Sequence, residues 1–128
     1  MFRHAIFTLM LTLMAAAAPA TTPLVIAPDS EMARERLNTS PRHGEWADIQ
    51  VPGAPAPLKT WVVYPERKDK APVVLVIHEI YGLTDWIRAV ADQLAADGFI
   101  ALAPDLLSGR GPGGGATESF PDRDAVTQ

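Results

Sequence analysis

The sequence predicts an α/β fold in which an antiparallel hairpin leads into a parallel β-loop-α-β unit. Three patterns carry this expectation: alternating polarity from Glu45 to Val51, a continuous and mostly β-branched run from Val73 to Ile77, and apolar residues at helical spacing from Trp86 to Ala95. A further apolar run, Phe99 to Ala103, follows the helix and completes the unit.

In the hairpin, Ala47, Ile49 and Val51 fall on one side and Asp48 and Gln50 on the other, the pattern of a half-buried strand. Pro52 to Pro57 supplies the turn, and Leu58 to Tyr64 the returning strand. Glu66 to Lys70 is a solvated turn. The run Val73 to Ile77 lacks alternation, so burial on both faces is expected of it. A loop from His78 to Leu83 follows, and Thr84 is placed to cap a helix whose apolar face holds Trp86, Ile87, Val90, Ala91, Leu94 and Ala95. Gly98 is available for the left-handed residue that closes helices. Residues 72 to 103 thus form a unit with a right-handed crossover. Beyond Pro104-Asp105-Leu106-Leu107, the stretch Gly109 to Gly115 is expected to be a flexible surface loop, and Asp122 to Val126 the first turn of another helix. Two parallel strands and one crossover helix leave an unpaired sheet edge and one bare face, which predicts a truncated fragment of a larger domain.

At the other end, Arg3 and His4 precede an apolar run from Ala5 to Ala18, and Ala18-Pro19-Ala20 offers small residues for cleavage. The run is shorter than the roughly 20 residues of a membrane span, so residues 1–20 are expected to be a signal peptide, with a periplasmic or secreted product and no membrane contact after cleavage. Residues 21–44 are expected to be a linker, with a short helix possible from Asp29 to Leu37, capped by Asp29 or Ser30, in which Met32, Ala33 and Leu37 share a face. Residues 45–128 are then the domain portion. The 128 residues are 48% apolar and 20% charged, the balance of one modest globular domain. Net charge is −4, and −5 once Arg3 leaves with the leader, which argues against nucleic acid and anionic membranes as partners. There is no cysteine, hence no disulfide and no thiol nucleophile.

In open α/β sheets, ligands bind beyond the carboxyl ends of the strands, which places His78-Glu79-Ile80-Tyr81-Gly82 at the functional rim. A histidine, a carboxylate, an aromatic and a glycine converge in five residues where a structural loop needs only turn formers. Backbone N–H groups there, beside the helix start, could stabilise an oxyanion. The bland alternatives are that His78 hydrogen-bonds the neighbouring strand end, and that Glu79 caps a helix or meets Arg88. A zinc site of the metalloprotease type would need histidine where Gly82 stands, so no metal is expected. Gly109 to Gly114 matches G-x-G-x-x-G formally, yet it lies beyond its strand, contains Pro112 and opens no helix, so no dinucleotide is expected. Ser30, Ser40, Ser108 and Ser119 all lie outside G-x-S-x-G.

The runs Val73 to Leu83, Ile87 to Ala95 and Gly98 to Leu106, with H-E-I-Y-G followed by A-P-D-L, resemble the dienelactone hydrolase family of the α/β-hydrolase superfamily. The resemblance covers about residues 45 to 126 and is specific from 73 to 107. It implies the N-terminal part of an α/β-hydrolase fold, incomplete in this chain, and hydrolysis of a small-molecule ester or lactone by the complete protein, as a monomer, without metal or organic cofactor. It implies that Glu79 is similar to the glutamate that contacts the family's nucleophilic cysteine and takes part in forming its thiolate. Ile80 resembles the residue whose N–H is an oxyanion-hole donor, Tyr81 a substrate-binding position, and Arg110 lies near where some members place an arginine for a substrate carboxylate, with different loop spacing. The family's cysteine, aspartate and histidine come later than Gln128, so little or no catalysis is expected of the chain itself. The alternatives are an exported non-catalytic binding module, an inactive fragment, and a hydrolase with a downstream serine.

Overall fold

A computed structural model describes residues 29–128. The signal peptide expected over 1–20 and the first part of the expected linker lie outside these residues. Within them the order is α1 (Ala33–Thr39), β1 (Gly44–Ile49), β2 (Leu58–Val63), β3 (Val73–Leu75), α2 (Asp85–Ala96), β4 (Ile100–Pro104), two 3-10 turns (Pro112–Gly114 and Thr117–Ser119) and α3 (Arg123–Val126). The four strands form one sheet in the order β1-β2-β4-β3.

The hairpin forms as expected, β1 antiparallel to β2 with Trp46 opposite Trp61. β2 pairs antiparallel with β4, and β4 parallel with β3, Val74 opposite Ala101. A hydrogen bond from Val76 N–H to the Leu102 carbonyl at 2.8 Å carries the parallel ladder past β3 towards His78. The crossover is α2. The Thr84 side chain accepts the Ile87 N–H at its start, and Asp85 complements the positive end of the helix dipole. At its end Phe99 N–H reaches the Leu94 carbonyl and Gly98 N–H the Ala95 carbonyl, with Gly98 at φ +97°, the paired bonds that need a residue without Cβ strain.

α2 packs Ile87, Ala91 and Ala95 against Val63, Ala101 and Ala103, with Trp61, Val74, Val76 and Leu94 at the margin. The alanines bring the helix backbone close to the sheet, and Ile87 is the large aliphatic that fills the gap. Its burial is worth about 1.5–3 kcal/mol.

The strand expected to be buried on both faces is covered on one. Val74 and Val76 face the core under α2, while Val73, Leu75 and Ile77 are 64%, 59% and 57% exposed. β3 also lies at the end of the sheet order, so the unpaired edge and bare face expected from the sequence are both present among the described residues. The alternation in β1 does not make a buried face either: Ile49 at its end and Val51 just beyond it are exposed, β1 being the other edge with no layer over them among the described residues.

The helix expected from Asp29 starts later. Asp29 Oδ1 accepts the N–H groups of Glu31 and Met32 in a preceding turn, and the helix proper begins at Ala33. Of the face predicted for it, Ala33 is fully buried, Leu37 half-buried and Met32 exposed. Residues 33–42, expected to be linker, are docked on α2: Arg34 pairs with Asp85, Arg36 reaches Gln93, and Ser40 and Arg42 both bond Asp92. The glycine-rich stretch expected to be a flexible loop is a folded turn. Gly111 N–H bonds the Gly115 carbonyl at 3.0 Å, Gly111 is buried, and a Cβ there would lie 2.1 Å from Ser119 Oγ.

Candidate active site

The loop after β3 is a tight turn. Gly82 N–H bonds the Glu79 carbonyl at 3.2 Å, and the Glu79 carboxylate folds back to accept the Tyr81 N–H at 2.7 Å. Gly82 sits at φ +81°, and a Cβ on it would come within 2.1 Å of Thr117 Oγ1 and 2.8 Å of Leu107 Cδ1, so glycine is required both by conformation and by space. Leu83 N–H donates to Thr117 Oγ1 at 2.8 Å, and Thr84 N–H to the Gly82 carbonyl at 2.9 Å. From Ile80 to Thr84, therefore, every backbone N–H is engaged except that of Ile80, which makes no hydrogen bond among the described residues and belongs to a residue 70% exposed.

His78 takes the bland role weighed for it. Its side chain is 6% exposed, and Nε2 accepts the Leu106 N–H at 3.0 Å, just beyond the end of β4. With Nε2 an acceptor, the ring proton sits on Nδ1, which donates to the Glu79 carbonyl at 2.7 Å. Glu79 neither caps a helix nor meets Arg88. That arginine pairs with Asp85, and its guanidinium lies over Trp61, 5.5 Å from the ring centre.

Asp105 organises the other side of the rim. Its side chain is 1% exposed and accepts three hydrogen bonds: Leu107 N–H at 3.0 Å, Thr117 N–H at 2.8 Å and the Thr117 hydroxyl at 2.8 Å. Thr117 thereby links the β4 exit to the turn after β3. Next to it, Glu118 pairs with Lys59 at 2.7 Å, and the Lys59 hydrogen bond holds the Glu118 carboxyl below the usual carboxylate value despite partial burial. A groove of about 720 Å³ begins where the turn ends, lined among others by Leu83, Thr84, Arg88, Thr117, Glu118 and Arg123.

Of the residues singled out from sequence, the structure brings Glu79, Ile80 and Tyr81 together in one turn. Arg110 is exposed, and its guanidinium makes no hydrogen bond, ion pair or ring contact with that turn. The cation beside the turn is Arg123, 5.2 Å from the Tyr81 ring centre. Sequence reasoning also passed over Asp105 and Thr117. An aspartate directly after a buried strand was the available signal for the first; Thr117 follows a glycine-rich stretch with no periodicity and carried none. Among the described residues no three His, Asp or Glu side chains cluster as metal ligands.

Sheet order, crossover and rim loop define the fold as part of an α/β-hydrolase. In a solved structure titled "Putative Dienelactone Hydrolase" from Klebsiella pneumoniae subsp. pneumoniae, the match has a TM-score of 0.52 at 26% identity, covering 66% of this chain and 33% of that one. The family model described as dienelactone hydrolase family matches residues 58–128, more than half of the sequence, and the chain belongs to that family. Among its relatives are the carboxymethylenebutenolidase of Pseudomonas sp. (strain P51), 41% identical over 46 residues that make up 36% of this chain and 19% of that protein, and "Putative hydrolase fragment YghX" of Escherichia coli (strain K12), 38% identical over 68 residues, 52% of this chain and 58% of that one. The matches span between 19% and 30% of the length of the carboxymethylenebutenolidase relatives.

Proposed function

We propose that this chain supplies the oxyanion-loop portion of an exported ester or lactone hydrolase whose nucleophile, aspartate and histidine lie in sequence outside it. The observation that carries the reading is the N–H of Ile80, on a residue 70% exposed, which makes no hydrogen bond among the described residues while the N–H groups of Tyr81, Gly82, Leu83 and Thr84 are all bonded. A donor fixed by its neighbours and left unbonded is what an oxyanion hole requires, since it meets the developing negative charge without prior reorganisation.

In this reading the nucleophile attacks the carbonyl carbon, and the tetrahedral oxyanion is held by Ile80 N–H and collapses with cleavage of the ester C–O bond. The alkoxide leaves as the protonated alcohol (in a lactone, the opened ring's own hydroxyl), and water then hydrolyses the acyl-enzyme to free acid and nucleophile. Glu79, whose carboxylate is oriented by the Tyr81 N–H, takes in this reading the part of the family's glutamate toward the cysteine thiol. Arg123, stacked on Tyr81, offers a cation at the turn to an acid-bearing substrate in place of Arg110. The complete protein acts as a monomer in the periplasm or medium.

The test is to assay the 128-residue chain and the product of the entire open reading frame that contains it on nitrophenyl esters and enol lactones. Turnover by the entire product, blocked by thiol alkylation and reduced at least tenfold by Glu79→Gln, supports the proposal. Alkylation-resistant turnover points to a serine nucleophile. No turnover, with the chain monodisperse and ligand-binding, favours the non-catalytic binding module.

A further inference from the structure

The hydrolase reading leaves idle the buried imidazole that joins the two rim segments. We propose that His78 is a positioning residue for the Glu79–Gly82 turn and acts as a protonation-sensitive latch, closed when the ring is neutral and opened when it is charged. The catalytic sense of the turn rests on the function proposed above; the latch itself rests on ring geometry.

Only one form of the ring satisfies both of its contacts. The Nδ1–H tautomer donates to the Glu79 carbonyl at 2.7 Å and accepts the Leu106 N–H on Nε2 at 3.0 Å. The imidazolium has two donors and no acceptor, so its Nε2–H would oppose the Leu106 N–H. The Glu79 carbonyl that the ring holds is also the acceptor of the Gly82 N–H, so the latch sits on the bond that closes the turn.

A partner for the charged ring is in place. Asp105 Oδ1 lies 3.9 Å from Nε2, with both side chains at least nine-tenths buried. The other charged groups nearby are committed: the Glu79 carboxylate to Tyr81 N–H, Asp85 at the start of α2 to Arg34 and Arg88, and Glu118 to Lys59. Asp105 is the carboxylate that the described residues place within ion-pair distance of the ring. Protonation therefore exchanges the Leu106 bond for Asp105. Asp105 Oδ1 already serves Leu107 N–H and the Thr117 hydroxyl, and Thr117 holds Leu83 N–H, so the exchange is felt at both ends of the turn.

The experiment is ¹⁵N NMR on the chain from about pH 8 to about pH 5, the span over which histidine charge changes. Expected at the upper end are imidazole shifts of the Nδ1–H tautomer. As the ring protonates, Leu106 amide protection, corrected for intrinsic exchange, should fall about tenfold, the scale of one lost hydrogen bond. The Ile80 and Leu83 amide resonances should move with the same midpoint. His78→Gln, which keeps an acceptor but cannot titrate, should hold Leu106 protected and abolish the shared midpoint. An Nε2–H tautomer, a Leu106 amide indifferent to ring titration, or a pH response that persists in His78→Gln would each overturn the latch. No substrate enters the measurement, so a silent latch leaves the hydrolase reading intact, and absent hydrolysis leaves the latch intact.

Discussion

Thr117 Oγ1 accepts the Leu83 N–H at 2.8 Å across 34 residues of sequence, and this bond ties the turn after β3 to the segment after β4. The same hydroxyl donates to the buried Asp105 carboxylate, so it relays one segment to the other. Thr117→Val keeps the shape and deletes the hydroxyl, leaving the Leu83 N–H and one carboxylate lone pair unmet. A loss of about 1–3 kcal/mol is expected from urea denaturation, whereas Thr117→Ser, which retains the hydroxyl, should lose clearly less. A larger loss in Thr117→Ser than in Thr117→Val would show that the methyl contact, not the hydroxyl relay, matters.

Gly82→Ala should be among the most damaging single-methyl changes in the domain. The new Cβ meets the Thr117 hydroxyl and the Leu107 side chain, and the backbone must hold φ +81°. Strain of this kind costs on the order of 1–3 kcal/mol before the clash is counted. Gly53→Ala is the control, since Gly53 has a similar φ of +79° with open space around it. Thermal melts should separate the two; coincident melting shifts would mean that the Thr117 contact yields freely.

The elements that the sequence made legible are those whose signal is local. The Thr84 cap, the Gly98 stop and the β-branched run of β3 each declare themselves within a few residues, and each stands where expected, β3 and α2 within two residues at their ends. The turn bearing Glu79, Ile80 and Tyr81 was legible for the same reason, because its position follows from the strand before it. What the sequence hid depends on partners far along the chain. Ile49 and Val51 alternate correctly but lie on an edge, and alternation cannot report which strands end up at the edges. Asp105 meets Thr117, Arg123 meets Tyr81 and Arg42 meets Asp92 only after the crossover has brought them together.

Two carboxylates give the fold an acid dependence of known sign. At Asp85, burial raises the carboxyl, but hydrogen bonds from Arg88 and Arg34 outweigh it and hold it below the usual value; Lys59 does the same for Glu118. A carboxyl depressed in the folded state stabilises above its unfolded value, and that stability is lost as pH falls through the folded one. The contribution of these two carboxylates should therefore be flat near neutrality and decline across roughly pH 5 to 3, the ordinary carboxylate range and just below it. Because the Lys59–Glu118 pair is half-exposed, at 39% and 58%, Lys59→Met should remove well under about 1 kcal/mol of it. Urea midpoints against pH for the two proteins would decide this; a Lys59→Met curve steeper than the parent's would contradict the sign.

The strongest test of how the N-terminal segment is held lies at Arg42 and Asp92. Arg42 Nε donates to Asp92 Oδ1 at 3.0 Å and a second nitrogen to Oδ2, while Ser40 Oγ also donates to Oδ1. The Arg42 and Asp92 side chains are 10% and 4% exposed, and the Asp92 hydrogen bond raises the Arg42 guanidinium further above its ordinary value. Removing one partner strands a buried charge, so Asp92→Ala should cost about 3–5 kcal/mol. The double change Arg42→Met with Asp92→Leu replaces the pair by apolar volume and should recover most of that loss. Limited proteolysis adds a local readout: cleavage between Ala33 and Gly44 should accelerate in Asp92→Ala and return towards the parent rate in the double variant. A segment that merely led into the domain would be cut at the same rate in all three proteins, and its melting would not register the loss of Asp92.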